Sequence, residues 1–231
     1  MDLRGNCPAY GDDILVFGEG DTYEEAHQDY DRKLQNLMKR CQARNVKLNK
    51  EKMKLRRSEV PYIGHVLTDK GLKPDRDKIK AMLEMPKPTD VAGAQRLIGF
   101  VNYLSKFLPH LSDVCEPLRK LMAKDVEWHW TPHQDQAFQR IRQLVIKASV
   151  LKYYEPREEL TLQSDASQTG LGAVLTQNGQ PLAFASRALS DAETRYAQIK
   201  KELLSVLFGL EKFHQYTYGR KVTIQTDHKP L

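Results

Sequence analysis

The sequence predicts an α+β chain in two regions, with α/β character in the second. In the first region, apolar residues recur at intervals of three and four, which is typical of amphipathic helices. After Tyr153-Tyr154-Glu155-Pro156-Arg157 the apolar runs become short and are separated by turn residues such as Asn178-Gly179, which is typical of strands. Hydrophobic residues make up 40% of the chain, enough to fill cores in both regions.

The first region begins with a strand and a long helix. Ile14-Leu15-Val16-Phe17 is a short apolar run that favours a buried strand, and Thr22 with Glu25 has the spacing of a capping box. The helix that follows is expected to end near Ala43. Later segments are expected to be a strand-like stretch around a glycine at 60–67, a turn at 69–71, and helices over 74–85, 92–107, 113–123 and from Thr131-Pro132 onward.

The sequence of the second region predicts a small sheet and one helix. Strands are expected at 160–164, 172–177, 181–186 and 222–226, and a single helix at about 192–216. The apolar residues of this helix recur at amphipathic spacing, so we expect them to face the core. They are Tyr196, Ile199, Leu203, Val206, Leu207 and Leu210.

Composition argues against several classes of protein. No apolar run approaches the roughly 20 residues of a membrane span, and no signal-peptide core is present, so we expect an intracellular protein of the cytoplasm or nucleus. The three cysteines have no metal-ligand spacing and are expected to be reduced. The net charge of +6 is compatible with nucleic acid but does not demonstrate it.

The basic residues are concentrated in one segment, from Arg32 to Arg57. Eleven Lys and Arg residues there meet one acid, Glu51. Two interpretations stay open on charge alone: a solvated helical face, or a surface that follows a phosphate backbone.

Three acidic residues of the second region are candidates for a metal site. Asp165 and Asp227 follow predicted strands, and Glu202 lies on the predicted helix. If the helix packs on the sheet, the three carboxylates converge, and a hard cation such as Mg²⁺ would offset their repulsion. Two such ions can promote phosphodiester hydrolysis. Taken singly, each acid is better explained as a turn former or a solvated side chain.

A second pair of acids stands at the start of the chain. Asp12 and Asp13 follow Tyr10 and Gly11 and lead into the first apolar run. Adjacent aspartates are common in hairpin turns, but the Tyr-x-Asp-Asp arrangement is more specific for holding metal-bound triphosphate. Gly11 would also let the backbone approach a primer end closely.

These motifs and others occur in one order that resembles the Pol polyprotein of gypsy-type LTR retrotransposons, relatives of retroviral reverse transcriptase. The further matching motifs are Val46-Lys47-Leu48-Asn49-Lys50-Glu51-Lys52, Tyr62-Ile63-Gly64-His65, Leu97-Ile98-Gly99-Phe100-Val101-Asn102-Tyr103, Ser164-Asp165-Ala166-Ser167, Gly170-Leu171-Gly172-Ala173-Val174-Leu175, Ala185-Ser186-Arg187, Glu193-Thr194-Arg195-Tyr196, Lys201-Glu202 and Thr226-Asp227-His228-Lys229-Pro230-Leu231. The resemblance covers nearly the whole chain from Tyr10 onward. It implies a partial reverse transcriptase palm at 1–72, helical thumb and connection elements at 73–152, and an RNase H-like domain with a mixed sheet at 153–231.

The resemblance also implies roles for individual residues. The expected metal and catalytic carboxylates are Asp12, Asp13, Asp165, Glu202 and Asp227, with Mg²⁺ or Mn²⁺ as the cofactor. The expected nucleotide and primer contacts are Tyr10, Gly11, Lys52, Tyr62, Ile63 and Gly64. The implied activities are RNA-directed DNA polymerase and ribonuclease H, acting on an RNA template, a DNA primer, dNTP and an RNA–DNA hybrid.

The sequence departs from the family pattern at both ends. The family's first palm aspartate lies on a strand well before the Tyr-x-Asp-Asp turn, and only nine residues precede Tyr10. The fingers, the last RNase H helices and a fourth carboxylate are also missing, so we expect a truncated domain with no polymerase and weak or no nuclease activity from this chain alone. Two alternatives stay open: a non-catalytic nucleic-acid-binding protein derived from a retroelement, or a fragment without independent function. The oligomeric state is undetermined.

Overall fold

A computed structural model describes the backbone of residues 9–10 and residues 13–226 in full. The chain forms two compact units, Met1–Ile63 and Gly64–Leu231. The division into three domains stays a prediction. None of the helices in the described part of the chain combines the length and the apolar character that a membrane span needs.

The first unit is built around one long helix. Strands β1 (Ala9–Tyr10) and β2 (Asp13–Ile14) pair antiparallel, with Tyr10 opposite Asp13. Helix α1 (Tyr23–Ala43) follows, then a 3₁₀ turn at Lys50–Lys52 and strand β3 (Glu59–Tyr62). The predicted strand over Ile14–Phe17 is wrong in extent, because the ladder ends at Ile14.

The start of α1 confirms the predicted capping box. The Glu25 amide donates to Thr22 Oγ1 over 3.2 Å, and the Thr22 amide donates to Glu25 Oε2 over 3.2 Å. These two bonds satisfy backbone N–H groups that a helix start leaves without intrahelical partners. The helix also ends at Ala43, as predicted.

The second unit opens with a two-stranded ladder and four helices. Strands β4 (His65–Thr68) and β5 (Gly71–Pro74) pair antiparallel. The helices are α2 (Arg76–Glu84), α3 (Val91–Tyr103), α4 (Leu111–Leu121) and α5 (Pro132–Ile146). They enclose a core whose most buried members include Leu97, Val101, Phe107, Leu118 and Ile141. Helix α2 starts later than predicted, because Pro74 ends β5 and Asp75 caps the helix.

A four-stranded sheet with one long and two short helices completes the second unit. Its strands are β6 (Leu160–Ala166), β7 (Gly170–Gln177), β8 (Gln180–Ala188) and β9 (Val222–Thr226), in the order β8-β7-β6-β9. Strand β9 is parallel to β6, whereas the β6–β7 and β7–β8 pairs are antiparallel. The predicted single helix over 192–216 is wrong: the chain forms α6 (Asp191–Thr194), α7 (Gln198–Lys212) and α8 (His214–Thr217).

Helix α7 packs on the sheet through small and polar residues. Lys201, Ser205 and Gly209 are its buried residues, and a Cβ added to Gly209 would lie 2.9 Å from Leu162 Cδ1. The predicted inward stripe is therefore largely wrong: Ile199 and Leu203 are 49% and 62% exposed. The close approach of the α7 backbone to the sheet at Gly209 determines which face of the helix is buried.

The opposite face of the sheet is covered by α4 and the 3₁₀ turn Ser105–Phe107. Phe184 of β8 packs against the core of the helices. The Ser112 amide donates to Ser186 Oγ over 2.9 Å, and the Lys152 amide donates to the Pro181 carbonyl oxygen over 2.8 Å. The sheet thus lies between two helical layers.

Candidate functional site

Asp165 occupies the last but one position of β6, in register with Gly172 of β7. Its neighbours Ser164 and Ala166 are buried on the face that carries α7. Because side chains alternate along a strand, Asp165 lies on the other face, where it is exposed. The carboxylate is therefore accessible to a phosphate backbone.

Glu202 approaches the same end of the sheet from α7, on the face opposite to the Asp165 side chain, so the described residues do not bring these two carboxylates onto one face. The Gln198 side-chain amide Nε2 donates to Glu202 Oε1 over 2.6 Å and to the Ala166 carbonyl oxygen over 2.8 Å. Glu202 is thus tied, through one intervening side chain, to the residue that follows Asp165. Among residues 13–226, its second oxygen, Oε2, accepts no hydrogen bond and is free to act as a ligand.

Strand β9 runs to the same end of the sheet as β6. The two strands are parallel, and Thr226 is in register with Ser164. Asp227 follows Thr226 in the sequence but lies outside the described residues. Residues 13–226 contain no group of three His, Cys, Asp or Glu side chains that would hold a metal ion. The three-carboxylate site therefore stays a prediction.

Two residues near this site were not singled out from the sequence. Gln198 precedes Glu202 by four positions, the spacing at which helical side chains meet, so the sequence carried a signal for it. Ser164 Oγ is buried and has no hydrogen-bond partner within the described range. The sequence alone does not indicate that the Ser164 hydroxyl is buried or that it has no hydrogen-bond partner within the described range.

The predicted polymerase residues are only partly described. Gly11, Asp12 and the side chain of Tyr10 lie outside the described residues, and Asp13 is exposed at the start of β2. Lys52 is exposed in the 3₁₀ turn, whose first residue is preceded by the capping residue Asn49. These positions stay predictions.

The predicted primer-contact turn has a well-defined backbone. Tyr62 ends β3, and Ile63 and Gly64 have φ values of 49° and 72°. Positive φ at two successive residues is the geometry of a type I′ turn, and it is unusual for a β-branched residue such as Ile63. Within the second unit, Tyr103 Oη donates to the Gly64 carbonyl oxygen over 2.7 Å.

The basic segment Arg32–Arg57 contains cations in ion pairs, of which Arg32 and Arg56 are also exposed, and further exposed cations. Lys33 is buried, with its Nζ 2.7 Å from Asp29 Oδ2 and 2.8 Å from Glu19 Oε2. The hydrogen bond from Lys33 lowers the pKa of Asp29 to about 2. Arg32 pairs with Asp29, and Arg56 with Asp31. The exposed cations include Lys39, Arg44, Lys47, Lys50, Lys52, Lys54 and Arg57.

Part of the second unit, including α5 and the sheet, is similar to a known protein family. Residues 130–224 match the model described as an RNase H-like domain found in reverse transcriptase. The chain is 32% identical to the retrovirus-related Pol polyprotein from transposon 297 of Drosophila melanogaster over 99% of its length, and 34% identical to that from transposon 412 over 96%. The resemblance to gypsy-type Pol polyproteins is confirmed.

These Pol relatives are much longer than this chain. The chain covers 21% of the transposon 297 polyprotein, and 17% of the Tf2-3 polyprotein of Schizosaccharomyces pombe, to which it is 30% identical.

Solved structures of related fold extend across nearly the whole chain. A foamy viral protease-reverse transcriptase in complex with RNA/DNA hybrid aligns over 99% of this chain and 31% of its own, with a TM-score of 0.79 and 20% identity. The same protein type in complex with dsDNA aligns over 97% of this chain and 48% of its own, with a TM-score of 0.81 and 21% identity. The predicted α+β fold is therefore confirmed.

Proposed function

We propose that the RNase H-like region hydrolyses the RNA strand of RNA–DNA hybrids, as part of an intracellular Pol polyprotein that also copies RNA into DNA. The observation that carries the proposal is the double hydrogen bond of Gln198, which joins Glu202 to the Ala166 carbonyl at the end of β6. Exposed Asp165 directly precedes Ala166 on that strand. The foamy viral relative in complex with RNA/DNA hybrid supports the choice of substrate.

The donor atoms at this end of the sheet suit a hard cation. Asp165 is exposed, and Glu202 keeps one carboxylate oxygen free among residues 13–226. If the two carboxylates meet Asp227 at the strand ends, the three would form an all-oxygen ligand set for Mg²⁺ or Mn²⁺. When bound, two such ions supply an activated water and stabilise the leaving oxygen.

The chain's own residues supply orientation and access. Gln198 fixes the rotamer of Glu202 against the sheet, so that its free oxygen does not have to be ordered when substrate binds. Asp165 faces solvent on an exposed strand end, where a duplex backbone can approach it. The polymerase roles of Asp12, Asp13, Lys52 and the 62–64 turn belong to the same proposal.

The test combines metal binding with cleavage. We expect calorimetric titration of the 231-residue protein with Mn²⁺ to show binding that Asp165→Asn and Glu202→Gln each weaken roughly tenfold or more. Any cleavage of a labelled RNA–DNA hybrid by this chain alone should be weak, should require Mg²⁺ or Mn²⁺, and should fall in the same variants. Asp125→Asn, an exposed acid on the helical layer, is the matched control. Equal Mn²⁺ binding by the wild type and Asp165→Asn would refute the proposal.

The basic segment supports a second candidate function, nucleic-acid binding without catalysis. Its exposed lysines and arginines outnumber the cations that are paired within the first unit. Affinity for a hybrid duplex should then fall steeply with salt, and each of Lys47→Ala, Lys50→Ala and Lys54→Ala should lower the slope by about one where it removes a phosphate contact. Unchanged salt slopes in all three variants would argue against this surface.

A further inference from the structure

The turn between β6 and β7 is held by a carboxylate from α4. Ser167 Oγ donates to Asp113 Oδ1 over 2.8 Å, and Thr169 Oγ1 lies 3.4 Å from the same oxygen. Asp113 is partly buried at this contact, which strengthens the bond relative to one in open solvent. A residue of the helical layer is therefore joined to a turn that starts two positions after Asp165.

The Ser167 side chain accepts hydrogen bonds from two backbone amides within the turn. Its Oγ accepts from the Gly170 amide over 2.8 Å and from the Thr169 amide over 3.2 Å. The Ser167 amide in turn donates to the Gly170 carbonyl oxygen over 2.9 Å. The Gly170 carbonyl oxygen also lies 3.2 Å from Ser167 Oγ, but a serine hydroxyl has one proton, and the carboxylate of Asp113, at 2.8 Å, is the stronger acceptor. Asp113 therefore sets the direction of the hydroxyl that holds both amides.

The approach of α4 to this turn requires a glycine. A Cβ added at Gly170 would lie 2.5 Å from Asp113 Oδ1 and 3.1 Å from Ser112 Oγ. Ser112 is itself fixed, because its amide donates to Ser186 Oγ over 2.9 Å and its carbonyl oxygen accepts from Arg119 Nη1 over 2.9 Å. The backbone of α4 next to Asp113 is thus held against β8.

We propose that Asp113 is a positioning residue for the Asp165 site. It orients the Ser167 hydroxyl, the hydroxyl fixes the β6–β7 turn, and the turn fixes the strand end that carries Asp165. This inference rests on the proposed nuclease function. It makes the helical layer part of the site, although α4 supplies no ligand.

The first test measures the turn itself. Hydrogen exchange at the Thr169 and Gly170 amides should quicken roughly tenfold in Asp113→Ala, because the Ser167 hydroxyl that accepts from both amides is no longer oriented. Asp113→Asn keeps an acceptor oxygen and should restore part of the protection, whereas Asp125→Asn should leave it at the wild-type level. Wild-type exchange rates in Asp113→Ala would overturn the inference.

The second test separates positioning from general stability. Asp113→Ala should weaken Mn²⁺ binding several-fold, while exchange at amides of β8 remains as in the wild type. Because Asp113 acts through Ser167, the double variant Asp113→Ala/Ser167→Ala should bind Mn²⁺ no more weakly than Ser167→Ala alone. Additive losses would mean that Asp113 does not act through the hydroxyl, and the inference would fail.

The two proposals fail in different ways. If Asp165→Asn weakens Mn²⁺ binding but Asp113→Ala binds as tightly as the wild type, only the positioning role is refuted. If Asp165→Asn binds Mn²⁺ like the wild type, the nuclease site is refuted and Asp113 has no site to position. The exchange rates then show whether Asp113 still holds the turn as a purely structural contact.

Discussion

Gln198 and Glu202 are joined by a hydrogen bond of 2.6 Å, from the Gln198 amide nitrogen to Glu202 Oε1. The same nitrogen donates to the Ala166 carbonyl oxygen, so both of its N–H bonds are engaged at the end of β6. The carboxylate is therefore oriented by the sheet through a neutral side chain. A lysine at position 198 would instead bring a positive charge that competes with a metal ion.

Replacing Gln198 tests this orientation. Gln198→Ala leaves Glu202 unrestrained, and we expect Mn²⁺ affinity to fall roughly tenfold while the free energy of unfolding falls by about 1 kcal/mol. Calorimetric titration and thermal unfolding measure the two effects. Gln139→Ala, an exposed position on α5, should change neither. Full Mn²⁺ affinity in Gln198→Ala would show that Glu202 needs no such support.

A pair of helical glycines tests how α7 meets the sheet. A Cβ at Gly209 would lie 2.9 Å from Leu162 Cδ1 and 3.2 Å from Ala173 Cβ, whereas a Cβ at Gly99 of α3 meets nothing within 4 Å. Gly99→Ala should stabilise the protein by about 0.5–1 kcal/mol through helix propensity. Gly209→Ala should destabilise it by about 1 kcal/mol, because overpacking outweighs that gain. Denaturant unfolding compares them, and equal stabilisation would contradict the close approach.

Gly209 also explains why the sequence misassigned the inward face of α7. Hydrophobic periodicity pointed to Ile199, Leu203 and Leu207, all of which are about half exposed or more. A glycine carries no hydrophobic signal, yet it lets the helix backbone approach Leu162 and Ala173 closely. Close approach of this kind depends on the partner strand and cannot be found in the helix sequence alone.

Features that depend on residues close together in sequence were predicted more reliably than the inward face of α7. The capping box of Thr22 and Glu25, the helix start at Thr131-Pro132 and the positions of the four C-terminal strands along the chain all follow from residues close together in sequence. The role of Asp113 could not be predicted in this way. Its partner Ser167 lies 54 positions away, and only the packing of α4 on the sheet brings them together.

The pair of Arg187 and Glu193 predicts acid sensitivity. Two hydrogen bonds from the guanidinium, of 2.8 and 2.9 Å, lower the pKa of Glu193 from 4.5 to about 2. A lowered carboxyl pKa adds stability that is present above pH 4.5 and is lost as pH falls toward 2. Unfolding free energies measured over this range should fall less steeply for Glu193→Gln than for the wild type. Parallel profiles would show that the pair does not form in solution.

The turn at Gly64 allows a matched comparison with Gly179. Their φ values are 72° and 73°, so alanine is strained equally at both, by about 1–2 kcal/mol. A Cβ at Gly64 would also lie 2.0 Å from Tyr103 Oη, whereas a Cβ at Gly179 meets nothing within 4 Å. Gly64→Ala should therefore destabilise the protein more than Gly179→Ala, as measured by denaturant unfolding.

Removing the Tyr103 hydroxyl should erase that difference. Tyr103→Phe alone loses the bond to the Gly64 carbonyl and should cost about 0.5–1 kcal/mol, given that Tyr103 is 44% exposed. In the Tyr103→Phe background the nearest remaining ring atom is Cζ, 3.3 Å from the added Cβ, so Gly64→Ala should cost no more than Gly179→Ala. If the two substitutions still differ there, the hydroxyl contact does not set the geometry of the turn. If they agree, Tyr103 fixes the backbone that is predicted to meet the primer end, and Tyr103→Phe should also weaken primer binding.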